Sequence, residues 1–368
     1  MPLTLLLHGK HAVPNTPPPR YEPLGPWLVP WRFDGLEAEY EALRRGAGLV
    51  DYSTQAVVEC RGMDRADFLQ RILTNDIARL TPGMGCRAAL LTPVAKLIAP
   101  LLVLADAEAH WLLCDLSRAA AVVKTLDGYL FTEQVTLTNH ERRWAALGLQ
   151  GPSALKVLSQ VTGASLALAQ PGEHAAIHWD DVPLRVISHT LTGSPGWLCL
   201  VSGEHADGVW HRLLGEDARH GLRPAGWEAL SAARIEAGIP WFGVDMDETT
   251  LLPETGLERV AASDTKGCYV GQEIVARMQT YGSASKKLMG LLVEGKVVPQ
   301  PGDVLRRGDE EVGRITSSCW SPALKRPIAL GFLKRGAYAP DTEVEVYRPD
   351  ARLPARVVAL PFSPLRSA

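Results

Sequence analysis

The chain reads as an α+β protein: two units that mix helices with short strands, followed by a small antiparallel β-barrel. Three observations carry this. Helical and strand patterns alternate in two successive runs between residues 36 and 238, from about Leu288 onward only strand patterns remain, and 368 residues exceed one ordinary core.

Taken in order, Leu36, Tyr40 and Leu43 fall at i, i+4 and i+7 ahead of Gly46 and Gly48, which marks an amphipathic helix with a glycine stop. Ala56 to Cys60 reads as a strand, and Asp64 to Leu73 as a helix burying Phe68, Leu69, Ile72 and Leu73. After a turn at Thr81 to Gly85, strands are expected at Arg87 to Thr92, Leu97 to Leu104 and Trp111 to Cys114. A helix from Ser117 to Leu130 and a strand at Gln134 to Thr138 close the first run. The second run has a strand at Arg142 to Leu149 and a helix from Pro152 to Val161, with Pro152 at the first helical position. Strands at Pro183 to Ser188 and Trp197 to Val201 then precede helices at Glu204 to Leu214 and Gly226 to Gly238.

The barrel strands are expected at Leu288 to Val293, Val304 to Arg307, Glu311 to Ser317, Ile328 to Leu333, Glu343 to Tyr347 and Ala355 to Leu360. Gly, Pro and Asp turns separate them, and no helix interrupts. Ahead of all this, the leucines at 3 and 5 to 7 lack a basic leader and are too few to span a bilayer. Pro14 to Pro30 reads as an extended arm or disordered leader.

Composition narrows the function classes. A hydrophobic fraction of 46% with 21% charged residues is that of a soluble globular protein, and a net charge of −3 offers no nucleic-acid or membrane footprint. The six cysteines (Cys60, Cys86, Cys114, Cys199, Cys268, Cys319) show no C-x-x-C and no close Cys/His cluster, so neither a disulfide framework nor a metal site is expected. A reducing cytoplasm is the expected compartment.

The densest chemistry lies in Lys266-Gly267-Cys268-Tyr269-Val270-Gly271-Gln272-Glu273, just before a short helical pattern from Gln272 to Met278. A thiol beside an ammonium near a helix start has the surroundings of a reactive cysteine, although a buried packing role is its ordinary fate. Lys266 is either a solvated loop cation or an anion contact at the helix start. Gly267 and Gly271 are expected to take backbone conformations closed to other residues. Gln272 either donates to a ligand or satisfies a first-turn amide, and Glu273 with Arg277 forms an i, i+4 pair. Arg234 and Glu236, on an alanine-rich helix, are a structural ion pair between domains or part of a ligand channel. Asp245 and Asp247 read as turn formers and caps, because no twelve-residue calcium loop surrounds them. Trp27, Trp31, Trp227 and Trp241 are expected as packing aromatics, any of them able to stack on a flat ring.

The segments Gly48 to Ser53, Phe68-Leu69-Gln70 with Thr74-Asn75-Asp76, Leu149 to Ala154, Arg234 to Pro240, Gly243 to Asp247, and Val312-Gly313 with Thr316 to Ser318 appear in the order characteristic of the glycine-cleavage T-protein superfamily. The resemblance runs from about Trp27 to Pro364. It implies a three-domain cloverleaf, with two ferredoxin-like α+β domains and a C-terminal antiparallel barrel, around a channel that holds tetrahydrofolate in the family. By analogy domain 1 takes 1–53 and 140–225, domain 2 takes 54–139 and 226–285, and the barrel takes 286–368; periodicity alone favours contiguous halves, 1–139 and 140–285.

The Lys266 to Glu273 segment resembles the signature of YgfZ-type folate-binding proteins, relatives of the T-protein that assist iron–sulfur enzymes. That likeness implies a tetrahydrofolate-associated accessory protein for iron–sulfur cluster assembly or repair, with Cys268 and Lys266 as working groups and Arg234, Glu236, Tyr269 and Gln272 toward the folate. Its partners are then a folate and iron–sulfur assembly or client proteins, with no nucleic acid and no membrane. The departures are specific. An aspartate pair of the T-proteins aligns with Ala99 and Pro100, which have no proton to exchange. Glutamates align with Ser194 and Leu198, and an arginine with Leu230. A folate-dependent aminomethyltransferase or demethylase is the alternative, and a binding module without folate a third.

Overall fold

The computed structural model describes residues 3–13, 18–215, 221–281 and 284–362. Two sheets and a closed barrel form its frame. The first sheet has six strands in the order His174–Trp179, Val182–Ser188, Gly196–Ser202, Trp144–Gln150, Ala47–Asp51 and Leu222–Pro224, antiparallel except for the last, which runs parallel to Ala47–Asp51. The second has five antiparallel strands in the order Gly85–Leu91, Leu97–Ala105, Ala109–Asp115, Gln55–Arg61 and Thr136–Asn139. The first sheet therefore draws on residues before and after the whole of the second.

Period-2 alternation explains why the central strands of the six-stranded sheet read as unbroken apolar runs. Ala145, Leu147 and Leu149 face the helices Ala154–Thr162 and Ala206–Gly215, as do Trp197, Cys199 and Val201. The intervening Ala146, Leu198 and Leu200 join the core of the five-stranded sheet. Both faces are buried, so neither alternates with polar residues. The helices Arg65–Ile72 and Ala119–Asp127 send Phe68, Leu69, Val122 and Leu126 into that same core.

Six antiparallel strands close the barrel, in the order Lys286–Val293, Arg326–Lys334, Glu310–Ser321, Val304–Arg307, Glu343–Tyr347 and Arg352–Val358. Leu291, Leu305, Ile315, Leu333, Val346 and Val357 fill it. The helix Trp227–Glu236 lies between this barrel, the helix Leu36–Arg45 and the strand Trp27–Arg32. Of its ten residues only Glu228 is not buried, and Ala229, Ala232 and Ala233 let three neighbours approach closely.

Three expectations are corrected here. The proline-rich segment is not a leader over its described part: Arg20–Leu24 and Trp27–Arg32 pair in a three-stranded sheet with Leu3–Thr4, and Trp27 and Val29 are buried. Residues 14–17 lie outside the described residues. Pro152 precedes the cap Ser153 and is not the first helical residue. The strand His174–Trp179 escapes the pattern because it is an edge, with Ala176 and His178 exposed. No described helix is long and apolar enough to cross a membrane.

Candidate functional site

A cleft opens where the two sheets face each other, with about 1090 Å³ of empty space counting its mouth. The N-terminal sheet supplies Trp27, the end of strand Ala47–Asp51 leads into Tyr52, and the long helix begins with Trp227. Tyr52 and Trp227 stack at 5.5 Å between ring centroids with 14° between planes, and Trp241 tilts onto Trp227 at 4.8 Å. Trp227 Nε1 donates to the Asp51 carbonyl at 2.9 Å, which fixes the indole. Trp31, the fourth expected ring, packs against the core without lining the cleft. Polar groups are few: Thr54, Gln55, Arg87, Asp115, His189 and Thr190. Aromatic walls with a few convergent polar groups are the usual make-up of a small-molecule site.

Asp115 is the one carboxylate among the described residues lining this cleft. It ends the strand Ala109–Asp115 and accepts hydrogen bonds from Ser117 N at 2.9 Å and Ser117 Oγ at 2.5 Å. Burial nevertheless pushes its pKa above the usual aspartate range. Burial also holds the Tyr52 phenol protonated and draws the His189 imidazole down to about 3.

Arg234 and Glu236 stand outside the cleft lining, in two buried networks that tie the units together. Arg234 Nη1 donates to Asp245 Oδ2 at 2.6 Å and Nη2 to Ser317 Oγ at 2.6 Å, while its guanidinium lies 4.1 Å from the Trp241 ring centre. Asp245 Oδ1 accepts from Thr316 Oγ1 and Ser317 Oγ, and Oδ2 from Trp241 N. Asp245 is thus the counter-charge of Arg234 and a clamp on the barrel strand, more than the turn former its local sequence suggests. Asp247 does serve its turn, accepting from Thr249 and Thr250. Glu236 accepts from Tyr40 and Arg44 of the first helix and from Ser321 and Ala323 N of the barrel.

The Lys266 to Glu273 segment is built around the lysine. Lys266 is buried, and its ammonium gives one bond each to the carbonyls of Gln70 at 2.5 Å, Leu73 at 2.6 Å and Asn75 at 2.9 Å. Gln70 stands in the last turn of the helix Arg65–Ile72, Leu73 is its cap residue and Asn75 lies just beyond, so the lysine caps its C-terminal end. Burial draws its pKa down to about 8. It is neither a solvated cation nor free for an anion. Tyr269 is packed among Ala95, Leu97, Leu252 and Val275, and Cys268 between them is exposed. Neither Cys268, Tyr269 nor Gln272 lines the cleft. Gly271 has φ +84°, and a Cβ there would stand 2.9 Å from the Thr92 carbonyl. Gly267, in contrast, has no positive φ and open space around it, so it needs no glycine geometry. Glu273 and Arg277 are both exposed on the helix Gln272–Tyr281 and form no ion pair with each other.

A Lys266→Met variant strands three carbonyls, one buried and two partly buried. We expect it to lose about 2–3 kcal/mol in urea unfolding, the weight of unsatisfied buried acceptors. A variant as stable as the parent would show that water replaces the ammonium.

Comparison with known proteins settles the kinship. Residues 18–265 match the GCVT N-terminal domain, and residues 286–363 match the glycine cleavage T-protein C-terminal barrel domain. The chain belongs to the glycine cleavage T-protein family. It is 31% identical over 342 residues to the aminomethyltransferase of Geobacillus sp. (strain WCH70), covering 92% of this chain and 93% of that one. Against the aminomethyltransferase of Bacillus licheniformis it is 32% identical over 343 residues, with the same coverage. The crystal structure of the glycine cleavage system aminomethyltransferase T from Bartonella henselae superimposes with a TM-score of 0.85 at 22% identity over 98% of both chains, a likeness of fold.

Within the T-protein fold the departures take definite places. Ala99 is fully buried opposite Leu90, whereas Pro100 lines the cleft beside Ala89. Leu198 also lines it, Ser194 accepts instead from Arg44, and Leu230 is buried in the core. Sequence reading finds no acid in those segments. The structure brings Asp115 in from the next strand, and the local signal for it is an aspartate at the end of an apolar run where a strand stops.

Proposed function

We propose that this member of the T-protein family binds a reduced folate in the central cleft and takes part in one-carbon transfer of the aminomethyltransferase type. The observation that supports it is the cleft itself: aromatic walls from Trp27, Tyr52, Trp227 and Trp241, with Gln55, Thr54 and Asp115 as its hydrogen-bonding groups. These residues suit a flat, polar-edged ring. Bound tetrahydrofolate supplies secondary amines that accept a one-carbon unit. The chain's own part is to exclude water, fix the ring, and provide a carboxyl where the T-protein aspartates have become Ala99 and Pro100. Asp115 is that carboxyl in this reading. The domain division behind it is the discontinuous one, 1–53 with 140–225 and 54–139 with 226–285, in a cytoplasmic protein.

Titration calorimetry with tetrahydrofolate tests the binding, and formation of one-carbon-loaded folate from an aminomethyl or N-methyl donor tests the transfer. Absence of heat with tetrahydrofolate ends this reading.

One observation keeps the YgfZ-type reading as the second: the thiol of Cys268 is exposed on a loop that the buried Lys266 and Tyr269 hold at either side. Such a thiol is accessible to a partner in iron–sulfur cluster assembly or repair. On this reading a deletion strain loses iron–sulfur enzyme activity, and Cys268→Ala fails to restore it. Full activity in the deletion strain rules it out, whatever the cleft binds.

A further inference from the structure

We infer that Arg87 is the carboxylate-binding residue of the channel, placed where its two cavities meet. The inference rests on the folate reading above. Arg87 projects from the strand Gly85–Leu91 and lines both the central cleft and a second cavity beside the barrel; Ile239, Pro240 and Leu257 are shared by both as well.

Its guanidinium has no counter-ion among the described residues. The contact it makes is one long hydrogen bond, Nη2 to the Thr190 carbonyl at 3.4 Å. The other acids along the channel each have a partner of their own, although Glu258 Oε2 accepts no hydrogen bond. Asp115 bonds to Ser117, Glu254 faces Lys286 at 3.8 Å, and Glu258 faces Arg259 at 4.0 Å. The ionisable neighbours Tyr52 and His189 are both neutral, the phenol because it keeps its proton and the imidazole because it has lost one.

Several other partly buried arginines are more fully engaged, Arg65 and Arg326 by backbone carbonyls and four more by an acid. Arg32 holds Glu228, Arg44 holds Glu236, Arg185 holds Asp106 and Arg234 holds Asp245. A desolvated, unpaired guanidinium is a liability to the fold unless something completes it. Burial indeed draws the Arg87 pKa below its ordinary value. What completes it best is planar, anionic and bidentate, which describes a carboxylate.

Two sources of that carboxylate fit the proposed chemistry: the glutamate tail of the folate and the carboxylate of an amino-acid donor. Titration calorimetry of the full chain and of Arg87→Met with tetrahydrofolate, tetrahydropteroate (which lacks the glutamate) and N-methylglycine separates them. If the tail is the ligand, the wild type binds folate about tenfold or more tighter than pteroate, the weight of a charge-assisted bond, and Arg87→Met closes the gap. If the donor is the ligand, folate and pteroate bind alike, and N-methylglycine binding is lost in Arg87→Met. Arg87→Lys recovers part of the loss in either case.

Thermal melting supplies the control. No ion pair is broken, so Arg87→Met should melt at or above the wild-type temperature. A melting point several degrees lower assigns Arg87 a structural role and overturns the inference. Folate binding that Arg87→Met leaves untouched, with no N-methylglycine binding to either protein, overturns it while the folate reading stands. No binding of any of the three probes to the wild type overturns both.

Discussion

Asp245→Asn is expected to destabilise the protein by about 3–5 kcal/mol, the usual effect of leaving one member of a buried ion pair without its partner. The amide keeps the shape of the carboxylate and removes its charge. Arg234, with side-chain exposure of 2%, then has no anion within reach, and its Nε already has no hydrogen-bond partner. The same substitution weakens the acceptance of Thr316 and Ser317 hydroxyls from the barrel strand Glu310–Ser321. Arg234→Met is expected to cost less. It strands Asp245, but the Thr316, Ser317 and Trp241 donors still surround that carboxylate. Urea unfolding monitored by tryptophan fluorescence measures both. Equal losses, or a smaller loss in Asp245→Asn, would show that the hydroxyls and the backbone N–H carry the network and the charge pair does not. A double variant, Arg234→Met with Asp245→Leu, should recover much of the stability, because it removes both desolvated charges together.

That network also shows where sequence reading stops. The barrel is legible because most of its strands are short runs bounded by Gly, Pro or Asp turns, and the period places inward residues such as Leu291 and Val293. Helices with one apolar face, such as Leu36–Arg45, are legible for the same reason. The helix Trp227–Glu236 is recognisable as a helix, yet its surroundings are not. Its residues touch the barrel, the first helix and the strand Trp27–Arg32, and nothing local says that Arg234 answers Asp245 while Glu236 answers Arg44.

The signature segment behaves alike. Residues 266 to 273 stand out as a motif, but the destination of Lys266 is the carbonyls of Gln70, Leu73 and Asn75, about 190 residues earlier. Gln70 and Asn75 belong to another family segment, so two motifs that read as independent are one contact. Part of the signature thus reports on packing, and the exposed Cys268 is the nucleophile left over for chemistry. Asp115 escapes sequence reading for the opposite reason. Attention to the aligned positions Ala99 and Pro100 finds an absence, whereas the cleft is assembled from strands that are neighbours in space, and Leu113 of the next strand pairs with Leu102.

Asp115→Asn is the substitution expected to change activity most. If Asp115 is the acid–base group of the proposed transfer, removing its proton exchange lowers the rate by about 10²–10⁴-fold. Tetrahydrofolate binding should survive, because the amide retains the acceptor toward Ser117 and the aromatic walls are untouched. Stability moves the other way. The folded pKa of Asp115 lies above its ordinary value because burial disfavours the carboxylate. Its contribution to stability is therefore fully present below the unfolded pKa and is lost as pH rises through the folded one. Wherever the wild type ionises, it carries a desolvated carboxylate that Asp115→Asn does not. The variant should melt higher at pH 7, and the difference should shrink as the pH falls toward that of a free aspartate. An active site that gives up stability for a poised group behaves in this way. A variant with undiminished transfer would remove Asp115 from the chemistry and leave the cleft as a binding site. A variant that both loses transfer and melts lower would make Asp115 a cap for Ser117, with the loss of activity following from disorder at the strand end.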